Sequence, residues 1–276
     1  MDALDRFCNR VGRSKALSPR NFQYACAVSG ILCSLFFFLA FVACGFVPPI
    51  PATWGAERTA EYYRKHEKGI QTGSAMLVIS GMFYLPLTAA ISGQMRRIPN
   101  LHYAVSALQL ASGAAGIFTY MMPGMILGVA NYRLDRPVEI TQALNELFWI
   151  TALMPWPTFL VQNFAFAYAL LTDTRPKPLF PKPIAILNII APVLFIPGIA
   201  IHTVYSGPLA WNGALSFWLA GLLFCGQLIV DSICLARAVS SEVAGGEKIV
   251  DIFPTTVDHN LQNESSKGDT NGSSAV

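Results

Sequence analysis

Charge is scarce in this chain and missing from most of its length. Asp, Glu, Lys and Arg make up 13% of the 276 residues, against roughly 25% in soluble domains. None of the four occurs in 21–56, 69–95, 98–132, 147–172 or 183–230. A soluble fold would have to bury several such segments on every side, which excludes an ordinary globular domain. No window alternates polar and apolar residues with period two, so strands are not expected. Cysteine is also sparse: six residues, none in a CxxC pair. Five of them (Cys26, Cys33, Cys44, Cys225 and Cys234) sit in apolar windows, where a thiol acts as a small apolar group. A disulfide framework and a cysteine metal site are thereby excluded. Phosphate-cradling glycine loops, HExxH, GxSxG and haem-attachment motifs are missing, as are Asp-rich segments that would hold magnesium against a diphosphate. We therefore expect no metal and no cofactor.

What the chain does have is hydrophobic length. Hydrophobic residues reach 53% and the mean hydropathy is +0.46. A bilayer-crossing helix needs about 20 mostly apolar residues, and four of the charge-free windows each hold one. The fifth is broken by Ser206-Gly207-Pro208, a turn signal, so it divides into two. Six spans are predicted, near 24–47, 70–93, 101–127, 147–171, 184–205 and 209–235. The first exceeds the ~7–15 residues of a signal-peptide core and should stay in the membrane. The expected fold is an all-α membrane protein, a six-transmembrane-helix bundle. A short interfacial helix should follow span 1, within Trp54–Lys68, and another should lead into span 4 from Pro137.

Thirteen of the nineteen Lys and Arg residues fall on one side of this topology, and the basic side faces the cytoplasm. Both termini should therefore be cytoplasmic. The domains expected are a basic cytoplasmic N-terminal segment (1–20), the transmembrane domain (21–238) and a disordered cytoplasmic tail (239–276). The net charge of +3 follows from this bias and implies no nucleic-acid partner. Asn263-Glu264-Ser265 and Asn271-Gly272-Ser273 are glycosylation acceptors by pattern that should stay bare in the cytoplasm.

Prolines at 86, 123, 155, 157, 192 and 197 lie inside spans. Each removes a helix hydrogen bond. They serve ordinary helix bending, or they bow spans 4 and 5 around a cavity at Met154-Pro155-Trp156-Pro157 and at Pro192 to Pro197. Polar groups at membrane depth are costly and hence candidates for function. Most cluster toward the outer half, including Tyr120, Glu146, His202 and Trp218. Glu57, Glu61, Asp135, Arg136 and Glu139 cap that half from the loops. Glu139, Gln142, Glu146, Trp149 and Leu153 share one helical face through i+3 and i+4 spacing. A carboxyl at the mouth of an apolar bundle resists ionisation and could donate a proton. Glu146 could instead cap a helix start or pair with Arg133 or Arg136. Asp231, near the cytoplasmic end, reads as solvated or paired with Arg237. Tyr120, Trp149 and Trp218 could line a pocket and steady a cation, with His202 nearby.

The six-span layout, Trp54 with Glu61-Tyr62-Tyr63-Arg64-Lys65-His66, and the acidic face entering span 4 resemble a group of small fungal membrane proteins. These are the terpene cyclases of meroterpenoid pathways, of the ascochlorin, ascofuranone and macrophorin type. The resemblance covers roughly 20–235. It implies a cyclase in the endoplasmic reticulum membrane acting on a lipophilic prenylated aromatic substrate. Its neighbours would be membrane lipid and other enzymes of the same pathway. An acid, Glu146 first and then Glu61, Asp135 or Glu139, would protonate an epoxide or alkene, with Arg136 orienting it. Trp149, Tyr120 and Trp218 would stabilise the cation. The alternative is a small-molecule transporter or a non-catalytic accessory protein.

Overall fold

The computed structural model describes residues 2–12 and 14–245. The tail from 246 onward, with both glycosylation patterns, lies outside the described residues. Among the described residues there are ten α-helices: α1 (Asp2–Gly12), α2 (Pro19–Ala43), α3 (Ala56–Lys65), α4 (Glu67–Met95), α5 (Tyr103–Gly116), α6 (Phe118–Tyr132), α7 (Val138–Leu153), α8 (Pro157–Thr172), α9 (Pro183–Leu194) and α10 (Ala220–Gly245). A 3₁₀ stretch (Ile196–His202) follows α9, and π-helical turns (Ala214–Leu219) lead into α10.

Helix starts follow local chemistry. Ser18 accepts from the Asn21 amide with Pro19 at the first helical position, which satisfies an orphan donor and presets φ. The His102 ring caps α5 through the Ala104 amide, and prolines open α8 and α9.

Among the described residues, five stretches are long and apolar enough to cross a membrane: Pro19–Ala43, Glu67–Met95, Tyr103–Tyr132, Pro183–His202 and Ala214–Ser241. The chain is thus a multi-pass membrane protein by length and composition. The predicted span at 147–171 is divided: α7 and α8 have 16 residues each and are separated at Met154–Trp156. Neither Pro155 nor Pro157 has an N–H to donate back into α7, and the Trp156 amide turns to the Met154 carbonyl instead (2.9 Å).

Helix α4 is central, packed against α2, α5 and α6, while α8 bridges α5 and α9. Lipid tails are as apolar as leucine, so association in a bilayer depends on close packing. Gly69 and Gly73, four apart on α4, supply it. A methyl at Gly69 would overlap the Ala43 carbonyl oxygen, and one at Gly73 would overlap the Cys44 sulfur. Helix α10 joins through the Ser34 hydroxyl to the Cys225 carbonyl (3.3 Å) and Tyr24 to Ser240 (2.8 Å).

The proline-alternating loop after α8 is tied down. Asp173 is buried and accepts from the Arg175 guanidinium (2.9 and 2.7 Å) and the Leu179 amide (2.9 Å). Lys182 caps the end of α8 on the carbonyls of Leu170, Leu171 and Asp173. Leu179 and Phe180 turn into the core. Burial pushes the Asp173 carboxyl up, but Arg175 and the two backbone amides outweigh it and hold it near a pKa of about 2. A depressed carboxylate stabilises the fold above its unfolded pKa and loses that stabilisation as pH falls through its folded value. Asp173→Asn should therefore melt lower than the parent at pH 7, by about 3 kcal/mol. The gap should close between pH 4 and pH 2; an equal gap across that window would contradict the assignment.

Candidate ligand cavity

Aromatic residues converge where the two broken helices meet. Phe37, Phe38 and Phe41 come from α2, Trp156 from the α7–α8 break and Phe159 from α8. Phe195 and Gly198 come from the break after α9, and Phe217, Trp218 and Phe224 from the π turns and α10. They enclose a cavity of about 120 Å³ whose wall contains no charged residue. Both proline breaks supply wall, because each turns side chains away from a straight helical path. The π turns add a residue to the circuit and swing Phe217 and Trp218 into the wall, a distortion frequent at functional sites.

One side is lipid-facing. Phe38, Trp218 and Leu222 line the cavity yet are 46%, 39% and 66% exposed, which makes a lateral mouth between α2 and α10. Inside, rings meet at short range: Phe37–Phe224 at 5.5 Å and Phe159–Phe224 at 5.1 Å between centroids. Two polar groups in this apolar wall are buried and have no hydrogen-bond partner: the Trp156 Nε1–H and the Thr119 hydroxyl. An unsatisfied buried donor costs about 1–3 kcal/mol, so a ligand oxygen that reached either group would recover that cost.

The cavity is roofed by a packed aromatic layer. Trp149 and Trp211 stack at 6.1 Å with an interplanar angle of 4°, and Phe41, Phe46 and Phe148 surround them. Asn145 locks this layer to α3, because its Oδ1 accepts from both the Tyr63 hydroxyl and the Trp149 Nε1–H at 3.2 Å. Tyr62 ties α3 to the end of α2 by donating to the Gly45 carbonyl (2.8 Å), and burial pushes its phenol up to about 12. It therefore stays protonated and acts as a fixed donor. Asn145→Leu strands two buried donors and should lower thermal stability by roughly 2–4 kcal/mol. A melt unchanged within error would show that the Asn145 hinge carries no load.

The residues singled out from sequence separate into groups. Trp218 lines the cavity. Tyr120 and Trp149 are fully buried in the packing around it, Tyr120 lying 5.6 Å from Phe37 and 6.0 Å from Phe224. Glu146 is half-buried and accepts from Gln142 Nε2 at 2.8 Å. It has no ion pair, since those among the described residues are Lys68–Glu67 and Arg175–Asp173. The face predicted on α7 is continuous, with Leu153 in the cavity wall, Trp149 one turn before it and Glu146 one turn further out. Glu61, Asp135, Glu139 and His202 are exposed and line no part of the cavity. Arg136 caps the end of α6 on the carbonyls of Arg133 (2.7 Å) and Val129 (3.0 Å) and is in neither of the ion pairs among the described residues.

Sequence reasoning passed over Trp156, Thr119, Phe217 and Phe224. Trp156 lay inside the Pro-Trp-Pro signal, which pointed to a bend or a cavity without singling out the indole. The Asp231 expectation is corrected: the residue is 5% exposed and bonded to Asn188 at 3.0 Å, while Arg237 is exposed and unpaired with it. Among the described residues, no group of three His, Cys, Asp or Glu side chains could hold a metal ion. Comparison with protein families, curated proteins and solved structures finds no match to this chain.

Proposed function

We propose that the chain draws a lipophilic molecule from the bilayer through the lateral mouth and closes a ring on it by acid-initiated cation chemistry. It would thus be a membrane terpene cyclase acting on a prenylated aromatic substrate. One observation carries this reading: a lipid-open cavity walled by aromatic rings, free of charge, with two orphaned polar groups. Ring faces attract cations, and a dry wall keeps water from quenching them. Trp156 and Thr119 would hold an oxygen of the substrate. A proton delivered to an epoxide opens its C–O bond, a π bond or hydroxyl of the substrate attacks the cationic carbon, and loss of a proton leaves a cyclic isomer. Glu146 is the acid proposed; it lines no part of the cavity and stands two turns from Leu153 in the wall with Trp149 between, so the substrate's reacting end would have to pass the Trp149 layer to reach it. Transport across the membrane fits less well, since the Trp149–Trp211 layer fills the bundle between the cavity and α3.

The same reading joins α7 and α8 into one broken crossing, which makes six, and places α3 and the start of α7 at the membrane surface. Both termini face the cytoplasm, because thirteen of nineteen basic residues fall on that side. The endoplasmic reticulum is the membrane proposed, by resemblance to the fungal cyclases.

Microsomes containing the chain, given epoxidised prenyl-aryl compounds, should yield a cyclic product of unchanged mass. No conversion across a panel of such compounds, by protein shown to be folded, would remove the cyclase reading. Full activity in Glu146→Gln would remove Glu146 as the proton source and leave the cavity assignment standing.

A further inference from the structure

A second, polar chamber lies behind the aromatic cavity and shares Phe159 and Phe224 with its wall. Its volume is about 20 Å³, enough for one water-sized occupant, which needs roughly 10–15 Å³. Its polar lining comes from Tyr84, Gln109, Gln162, Asn163, Gln227 and Asp231, on α4, α5, α8 and α10. So many polar side chains meeting among membrane-crossing helices is not what apolar packing selects.

The hydrogen bonds in this cluster leave a specific deficit. Tyr84 donates to Gln162 Oε1, and Gln162 and Gln109 both donate to Thr88 Oγ1 (2.7 and 3.1 Å). Gln227 donates to Asn188 Oδ1 (2.9 Å), and Asn188 donates to Asp231 Oδ1 (3.0 Å). Gln109 Oε1 is buried with no donor, on a residue only 1% exposed. Asp231 has amide partners and no cationic side chain, as the ion pairs among the described residues lie elsewhere. The chamber thus has unused acceptor capacity and one carboxyl, and nothing positive to match it.

We propose that this chamber binds a single monovalent cation of sodium size, held by Asp231 with Gln109 Oε1 and neighbouring amide and hydroxyl oxygens. The donor types select the ion. Carboxylate, amide and hydroxyl oxygens suit hard cations, and the lining has no thiol, thioether or imidazole to favour a transition metal. One carboxyl balances one positive charge, whereas divalent calcium takes 6–8 oxygens with several carboxylates as a rule. A carboxylate oxygen is a strong-field ligand, which favours the smaller sodium ion over potassium. The bound ion would tie α5 and α8 to α9 and α10 and brace Phe159 and Phe224 from behind. The site does not depend on the cyclase reading.

The test is thermal unfolding of the full-length chain in detergent, in sodium, potassium or choline chloride at one ionic strength. A ligand bound only to the folded state raises the melting temperature with its concentration. Sodium at 150 mM should raise it by several degrees over choline, with potassium giving less than half that shift. Asp231→Asn and Gln109→Leu should each abolish the sodium increment. Should either variant fail to fold, sodium-23 NMR of the parent chain decides: the resonance should broaden with protein and sharpen when lithium competes. Identical melting in the three salts with no broadening would overturn the proposal. So would melting that tracks pH and ignores sodium, which would make the chamber a hydrated, protonated carboxyl. A sodium shift retained in folded Asp231→Asn would overturn Asp231 as the ion's charge partner.

Discussion

Gly221→Leu is expected to abolish ligand binding and turnover while leaving the fold as stable as before or more so. Gly221 lines the aromatic cavity, and a Cβ built on it meets no atom within 4 Å. The first carbon of the new side chain meets no neighbour, and the rest extends into space that the ligand needs. Leucine in place of glycine within a helix favours the helix by roughly 0.8 kcal/mol, so melting should not fall. Gly226→Leu is the matched control, since Gly226 is also on α10 with nothing within 4 Å of its Cβ. It is exposed and lies outside the cavity wall, so that variant should keep activity. Equal loss in both, or full activity in Gly221→Leu, would place the ligand elsewhere.

The double variant Trp156→Phe, Thr119→Val should lose roughly 10- to 100-fold in affinity for a ligand carrying an oxygen, at about 1 kcal/mol per hydrogen bond. Affinity for a hydrocarbon of the same shape should change little. The unliganded protein should melt no lower than the parent, because both deleted groups are buried without partners. That combination, weaker binding with undiminished stability, separates ligand recognition from packing. Equal losses for both ligands would mean that Trp156 acts through the bulk of its ring alone. Competitive displacement of a fluorescent lipid in detergent micelles would measure the two affinities side by side.

The spans were legible because charge is so costly in a bilayer that its omission marks them. Four of the five membrane-length stretches fall within the charge-free windows or overrun them by two residues, while Ala214–Ser241 continues past Val230 through Asp231 and Arg237. The division of α7 from α8 was harder to read. Pro155 and Pro157 were visible, but whether a proline bends a helix or ends it depends on what neighbouring elements can satisfy. The π turns at Ala214–Leu219 contain no proline that would mark them.

The site was legible in part. Helical spacing put Glu146, Trp149 and Leu153 on one face, and that face does descend to the cavity wall. Glu61, Asp135 and Glu139 were chosen for lying on the same side of the membrane, which fixes depth but not direction, and they are exposed. Phe37, Phe159 and Phe224 carried no warning. A helix apolar all round gives periodicity nothing to report, so which phenylalanines face one another depends on which helices are neighbours. Asp231 was misjudged for the same reason: its partner Asn188 is 43 residues away in sequence.

Photolabelling with a diazirine-bearing prenyl-aryl compound in native membranes tests most directly whether the ligand sits in the aromatic cavity. Labelled peptides should map to Phe38 on α2 and to Trp218 and Leu222 at the start of the last helix. Excess unlabelled compound should compete the label away, and Gly221→Leu should lose it. Label spread evenly over the lipid-facing surfaces of α5 and α6, or insensitive to competition, would contradict the assignment.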